Sequence, residues 1–466
     1  MPVLSAGRLL SGFKPCAPAA GGGCPTNTPG VFSVNLSAAV GLSGDALGSL
    51  SPRGWPGVHA PAPLELFTAP RAADLAGTPQ LLAQYPNHDM FGIASLAGGS
   101  YLPWINGSEN YAGPVHGGFK VKDGTPGQWD LTAPGQRGNA PWLHHASIWK
   151  DSHCKLGNVS SGGNGTSMVQ MSTDPDAGAR CLEDPSRFDK FDVSSGGGMS
   201  RFYFYNVLAE LDADGEYFVD KPASTLYWKP GPAELQDKAE GLQAVVSVLP
   251  SVISAANVTN VTFVGLAVLH GRSNGVEVAG CDGVKFTHCV IANHGEMGVN
   301  IMNSSRCSVS HCRVEQTGSG ALWLDGGDRD ALVPANNTLE MSNVSEVSRW
   351  VRFPPGRALG ANIHGVGHKV LGNRFDGLPF QNIRVYGNDH LIANNMFRNA
   401  LWETYDQGVI YSGRDWTILG NVIRGNDISG VHSLYYPRSQ HLGDFVKCIH
   451  LDDQVSVRAS SFSQSL

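Results

Sequence analysis

The sequence predicts an all-β chain whose C-terminal half is a right-handed parallel β-helix, preceded by a β-rich domain carrying loop insertions. Three observations carry that expectation. Glycine supplies 58 of 466 residues, well above the average share of about 7%. Charged residues make up only 16%, against about 25% in ordinary globular chains. From about Asn257 onward, short apolar runs recur every 22 to 26 residues, the spacing of stacked coils. The glycines follow no triplet, which excludes collagen, and 41% hydrophobic residues suffice for a core.

The repeat can be laid out segment by segment. Val261–Val268, Val284–Ile291, Cys307–Val314, His368–Phe375, His390–Phe397 and Trp416–Ile423 superimpose. One apolar column then holds Phe263, Phe286, Val309, Val370, Ile392 and Ile418. A second holds Val268, Ile291, Val314, Phe375, Phe397 and Ile423. Between them runs a small or amide position: Leu266, Cys289, Cys312, Asn373, Asn395 and Asn421. Another alternating strand follows each segment, as in Gly275-Val-Glu-Val278, Gly298-Val-Asn-Ile301 and Gly320-Ala-Leu-Trp-Leu324. Inward side chains of such strands stack on the next coil about 4.8 Å away, and corner asparagines tolerate the left-handed conformation. A leucine-rich repeat is the competing period, but its LxxLxL-N pattern is absent. The crossover rule for parallel strands gives the right hand. Cys289 and Cys312 fall on adjacent coils at a spacing that permits a disulfide; the alternative is a pair of small buried thiols.

The domain reading places a poorly defined segment over residues 1–60 and the β-rich domain over 61–245. The β-helix covers 246–453, and a tail covers 454–466. Strands are expected at Pro63–Phe67, Phe202–Tyr205, Glu216–Val219 and Thr225–Trp228, with a short helix within Ala233–Ala244. The Gly/Ser tracts 160–165 and 194–198 read as loops. No apolar run reaches the ~18 residues of a membrane span. A net charge of −7 without a Lys/Arg run argues against nucleic acid or an anionic membrane as partner.

Nine N-x-S/T sequons start at Asn35, Asn106, Asn158, Asn164, Asn257, Asn260, Asn303, Asn336 and Asn343. They are glycan acceptors if the chain is secreted; otherwise they are good turn-then-strand sequence. Met1–Phe13 shows no clean signal-peptide cleavage site. The nine cysteines have no metal-like spacing, and Cys16–Cys24 and Cys154–Cys181 are expected loop disulfides. The balance favours the secretory route or cell surface.

Candidate chemistry concentrates in the last coils. Outward carboxylates one coil apart would match the ~5–5.5 Å separation of retaining glycosidases, and two coils apart the ~6.5–9.5 Å of inverting ones. The acids in question are Glu403, Asp406, Asp415, Asp452 and Asp453, flanked by Trp402, Tyr405, Tyr411 and Trp416, with Tyr435 and Tyr436 following. Such aromatics could offer ring faces to a sugar. Any one Asp may equally be a turn residue. The Gly-x-Asp turns at Asp328, Asp389 and Asp415 read as structural and in register, with Arg329 and Arg414 as their partners. His364 and His390 are expected at coil edges, available for substrate hydrogen bonds. Asp325, Asp328 and Asp330 lack calcium-loop spacing, so neither metal nor cofactor is expected.

The runs Gly318–Arg329, Gly387–His390, Glu403–Trp416 and Leu451–Asp453 resemble the β-helix proteins related to glycoside hydrolase family 141, which includes α-L-fucosidase and xylanase activities. Pro63–Phe67, Leu82–Asn87 and Asn206–Tyr217 are similar to its N-terminal segment. The resemblance implies a pectin-lyase-like solenoid in which two aspartates perform the acid/base and nucleophile work. Asp406 and Asp452 match by position, with Asp415, Asp453 and Glu403 in reserve. Read from the residues themselves, the substrate-contact candidates are Trp402, Tyr405, Tyr411, Arg414, Trp416, His364 and His390. The sequence departs from the family in an insertion near Val431–Lys447 and in the absence of further coils after Asp453.

The first functional reading is therefore a monomeric hydrolase of a plant- or algal-type poly- or oligosaccharide. A polysaccharide lyase or uronate epimerase is the second, disfavoured by the mostly acidic candidates. A non-catalytic carbohydrate-binding solenoid is the third.

Overall fold

The computed structural model describes residues 1–16, 24, 28–48, 50, 63–71, 74–87, 102–103, 118–121, 123–146, 151–172, 201–236, 241–350, 359–404, 406–433 and 446–454. The chain divides into two compact units, Arg8–Val246 and Met1–Gly7 with Ser247–Leu466.

The second of these is the β-helix. Each coil contributes one short strand to each of three parallel sheets. The first sheet begins with Val3–Ser5, from the segment read as poorly defined, paired in parallel to Ala267–Leu269. The third, which matters most below, contains Ile253–Ala256, Val276–Ala279, Val299–Met302, Leu322–Gly326, Ala361–Gly365, Ile383–Val385, Gly408–Ser412 and Lys447–Leu451 in that spatial order. Its inward columns, Val276-Val299-Leu322-Ala361-Ile383-Ile410 and Val278-Ile301-Leu324-Ile363-Val385, are buried in one continuous apolar core. Full burial of each branched side chain contributes roughly 1.5–3 kcal/mol before entropy is subtracted.

The two expected columns are present with corrections. A coil missing from the sequence alignment adds Leu339 and Val344 between Val309 and Val370 and between Val314 and Phe375. In the last coil Ile423 pairs with Ile392, and Ile428 with Phe397. Ile418 therefore lies outside the first column and Ile423 belongs to it. The cause is the amide ladder. Asn395 Oδ1 accepts from Asn373 N and Nδ2 at 2.9 and 3.0 Å, and Asn426 Oδ1 accepts from Asn395 N and Nδ2 at 2.9 Å each. Asn426, not Asn421, continues that ladder. Asn421 joins a parallel one by accepting from His390 N at 2.9 Å.

Cys289 and Cys312 are free buried thiols, with Cys289 N 3.4 Å from Cys312 Sγ. Cys16 and Cys24 form the expected disulfide. Cys154 is also disulfide-bonded, while Cys181 lies outside the described residues.

Among the described residues, the N-terminal unit is built of sheets of seven, five and three strands; the second includes antiparallel Glu216–Asp220 and Thr225–Lys229, which carry the buried Tyr217 and Trp228. A short helix covers Pro232–Gln236 among the described residues. The tract 160–165, read as a loop, is instead the tip of a hairpin between Asp151–Gly163 and Thr166–Met171. Asn164 and Gly165 both have positive φ, the two-residue turn that Asn-Gly favours. Tract 194–198 lies outside the described residues. Among the described sequon asparagines, Asn35, Asn158, Asn164, Asn257, Asn260, Asn303, Asn336 and Asn343 are exposed. Asn164, Asn257, Asn260, Asn303 and Asn336 occupy left-handed turns. Asn106 lies outside the described residues.

Candidate functional site

Alternation fixes what the third sheet shows to its outer face. Where the inward columns are apolar, the residues between them point outward. One outward row reads Glu277, Asn300, Trp323, Asn362, Arg384, Tyr411, His450 from coil to coil. Two positions further along the strands a second row includes Asp325 opposite His364, then Tyr386 and, past the end of the last strand, Asp452.

These side chains form a continuous stack along the coil axis. The rings of Trp323 and His364 lie 4.5 Å apart and nearly parallel, and those of His364 and Tyr386 lie 5.2 Å apart. The Arg384 guanidinium follows, 4.8 Å from the Tyr386 ring centroid and 5.6 Å from that of Tyr411, while donating from Nη2 to Tyr386 Oη at 3.0 Å. Tyr411 meets His450 edge to face at 5.4 Å. The ring faces are thus spent on one another, leaving edges rather than stacking platforms. Burial first, then the Arg384 charge, brings His364 down to about 4 and holds it neutral.

Asp452 is the best-anchored carboxylate. Tyr411 Oη donates to its Oδ2 at 2.6 Å and Arg414 Nε to the same oxygen at 3.3 Å. Burial alone would raise its pKa. The donors Tyr411, the Asp453 backbone N–H and Arg414 outweigh burial and keep the group ionised below the usual carboxylate range. The same bond, added to burial, raises Tyr411 and keeps its proton in place. Asp406 accepts from Lys447 Nζ at 2.7 Å, which sits 3.4 Å from His450 Nε2. His450 Nε2 is in turn 4.0 Å from Asp452 Oδ1. Lys447 and His450 thus link the two carboxylates.

Three donors in the first row are buried and unpartnered among the described residues: Trp323 Nε1, Arg384 Nε and His450 Nδ1. Leaving a buried donor unpaired costs about 1–3 kcal/mol, and these three lie along one face. Other such atoms, including the Asn382 amide and His368 Nδ1, are not in this row.

The remaining sequence candidates are placed elsewhere. Asp415 is on a loop, bonded to Thr417 and to Arg329 Nη1 at 3.0 Å. The Thr417 bond leads the causes that lower its pKa. The Gly-x-Asp turns do not stack, because loop lengths differ. Asp328 opens a small excursion closed by an antiparallel bridge to Val333, and Asp389 instead lies against Gly420. Arg329 does pair with a turn aspartate, whereas Arg414 turns to Asp452.

His390 is not at an accessible edge. It is buried, stacked on His368 at 5.1 Å, and its Nδ1 accepts from His368 N at 3.0 Å. Trp402 is buried with Nε1 donating to Gly377 O at 3.0 Å, and Glu403 is buried. Trp416 is 67% exposed. Asp453 is exposed, and its carbonyl accepts from Arg414 N. Tyr405, Tyr435 and Tyr436 lie outside the described residues. Sequence reading missed Trp323, Asn362, Arg384, Tyr386, Lys447 and His450. Their signal was a polar or aromatic residue between two apolar ones in successive strands. Among the described residues, no three His, Cys, Asp or Glu side chains converge on a metal position.

The family model for the right-handed beta helix region matches residues 250–348. A solved structure described as a glycoside hydrolase aligns at TM-score 0.62 and 13% identity, over 97% of this chain and 81% of its own. An alginate lyase from Paenibacillus sp. str. FPU-7 aligns at TM-score 0.29 and 15% identity, over 43% of this chain and 76% of its own. A GH87 alpha-1,3-glucanase from Streptomyces thermodiastaticus aligns at TM-score 0.26 and 10% identity, over 46% and 52%. The first of these likenesses shows the fold. No curated protein matches the chain.

Proposed function

We propose that this protein binds a polysaccharide along the outer face of the third sheet and hydrolyses it with Asp452 and Asp406. The observation that carries the reading is the linked pair of carboxylates, Asp452 held by Tyr411 and Arg414 and Asp406 held by Lys447, at the end of the row that also carries the unpartnered nitrogens of Arg384 and His450. Sugar hydroxyls and ring oxygens are suitable acceptors for such donors. Asp452, held ionised, suits a nucleophile or general base. Asp406 supplies the second carboxylate, and an acid role for it requires Lys447 Nζ to release it when substrate binds. The solved glycoside hydrolase that shares the fold makes hydrolysis the first reaction to test. The resemblance to family 141 puts fucosides and xylans first on the panel. The disulfides at Cys16–Cys24 and Cys154 and the exposed sequons support a secretory placement.

The test is release of reducing ends from a polysaccharide panel by wild type, Asp452→Asn and Asp406→Asn, with thermal unfolding as the folding control. Loss of turnover in both variants at unchanged unfolding is expected. Full turnover in both contradicts the reading.

One observation favours a second reading. Arg384, Arg414, Lys447 and His450 surround Tyr411 and could neutralise a uronate carboxylate, as a lyase or epimerase requires. The raised Tyr411 proton affinity opposes a tyrosinate base. An unsaturated, ultraviolet-absorbing product would promote that reading over hydrolysis.

A further inference from the structure

Charge bookkeeping on the outer face singles out one residue. Arg329 is paired with Asp415 at 3.0 Å, Arg414 with Asp452 at 3.3 Å and Lys447 with Asp406 at 2.7 Å. Arg384 has no carboxylate within 4.0 Å among the described residues. Its guanidinium is half-buried, sits between the Tyr386 and Tyr411 rings, and keeps Nε buried and unpartnered. The two rings stabilise the cation, and the Tyr386 hydrogen bond fixes its orientation. Neither supplies a counter-charge, and a partly desolvated cation without one gains from pairing with an anion.

We propose that Arg384 selects a glycan carrying a carboxylate, which bonds to the guanidinium next to the Asp452 centre. The idea rests on the reading of this face as a polysaccharide site and names the class of sugar that the site takes. The neighbours fit that role. His364, kept neutral by burial and by the Arg384 charge, adds no second cation, and the guanidinium is half-buried rather than sealed. A planar carboxylate matches the guanidinium fork better than a neutral hydroxyl does.

The experiment uses the full chain and measures binding to polygalacturonate, polymannuronate and glucuronoxylan, each beside its carboxyl-reduced counterpart. A sulfated galactan is included as a second kind of anion. Wild type is expected to prefer one acidic glycan over its reduced form by about tenfold or more, as a charge-assisted hydrogen bond provides, and that preference should weaken with salt. Arg384→Gln should lose the preference, and Arg384→Lys should keep part of it.

Equal binding of acidic and reduced forms by wild type overturns the inference. So does a preference retained by well-folded Arg384→Gln. Tighter binding of the sulfated galactan than of any uronan overturns the carboxylate assignment. In each of these cases the proposed hydrolase stands if some polysaccharide is bound or cleaved; failure to bind or cleave any of them overturns both. Should Arg384→Gln unfold, the wild-type comparison and Arg384→Lys decide.

Discussion

The inside of the solenoid and the outer face of its third sheet use polar side chains in opposite ways. In the amide ladder, Asn395 gives Nδ2 to Val370 O and Asn426 Oδ1 and receives two bonds from Asn373. Each coil thereby satisfies its neighbour. On the outer face, Trp323, Arg384 and His450 stack neatly yet each leaves one buried nitrogen unpartnered. The ladder asparagines are saturated within the protein, whereas these three outer-face nitrogens are held in place and left unsaturated, as the proposed ligand site requires.

The contrast can be broken at several points. The largest effect is expected from Asp452→Asn, which keeps the shape and removes the ionised oxygen. Turnover should fall by about 10²–10⁴-fold at unchanged unfolding temperature, measured by reducing-end release. A comparable fall in unfolding temperature would make Asp452 a structural residue.

Acid should attack the interior before it attacks Asp452. Burial lowers His294 and His390 to about 3 and His368 to about 4, against an ordinary value near 6.5. The unfolded chain takes up these protons below about pH 6.5, while the folded chain refuses them until pH 4 or 3. Stability therefore falls as pH falls through that window, by up to about 1.4 kcal/mol per pH unit for each histidine. Denaturant titrations at pH 7, 5.5 and 4.5 read this directly. A midpoint that does not move would show that the histidines exert no such linkage.

Smaller effects sharpen the same comparison. Asn395→Ala leaves Asn373 without its acceptor and should cost about 2–3 kcal/mol in chemical denaturation; a cost near zero would remove the ladder from the account of stability. Trp323→Phe keeps an aromatic ring against His364 but removes the free N–H and one ring of the indole. It should change stability little and weaken glycan affinity about three- to tenfold, as read by calorimetry.

The interior was legible in the sequence because stacking repeats a residue type. Phe263 with Phe286, Ile291 with Val314 and Asn373 with Asn395 could be aligned by eye. The register failed where a loop mimicked the pattern. Ile418 offered an apolar residue five positions early, and the coil carrying Leu339 and Val344 was hidden by the insertions on either side of it. The outer face repeats nothing. Trp323, Asn362, Arg384, Tyr411 and His450 occupy one row but share no chemistry, and irregular loops separate them in sequence. Asp452 and Tyr411 were legible because acids and aromatics cluster in the last coils, and the motif resemblance then ranked Asp452 first with Asp406. Arg384 and His450 required the register. His390 shows the opposite failure, since a histidine that looked available for substrate is a buried member of a ladder.

The most direct test follows the Trp323 indole N–H by ¹⁵N nuclear magnetic resonance, assigned with Trp323→Phe, while a bound oligosaccharide is titrated in. The account predicts a saturable shift of that resonance at the same midpoint as binding, with the other buried indole resonances still. Saturable binding that leaves the Trp323 resonance unmoved would contradict it.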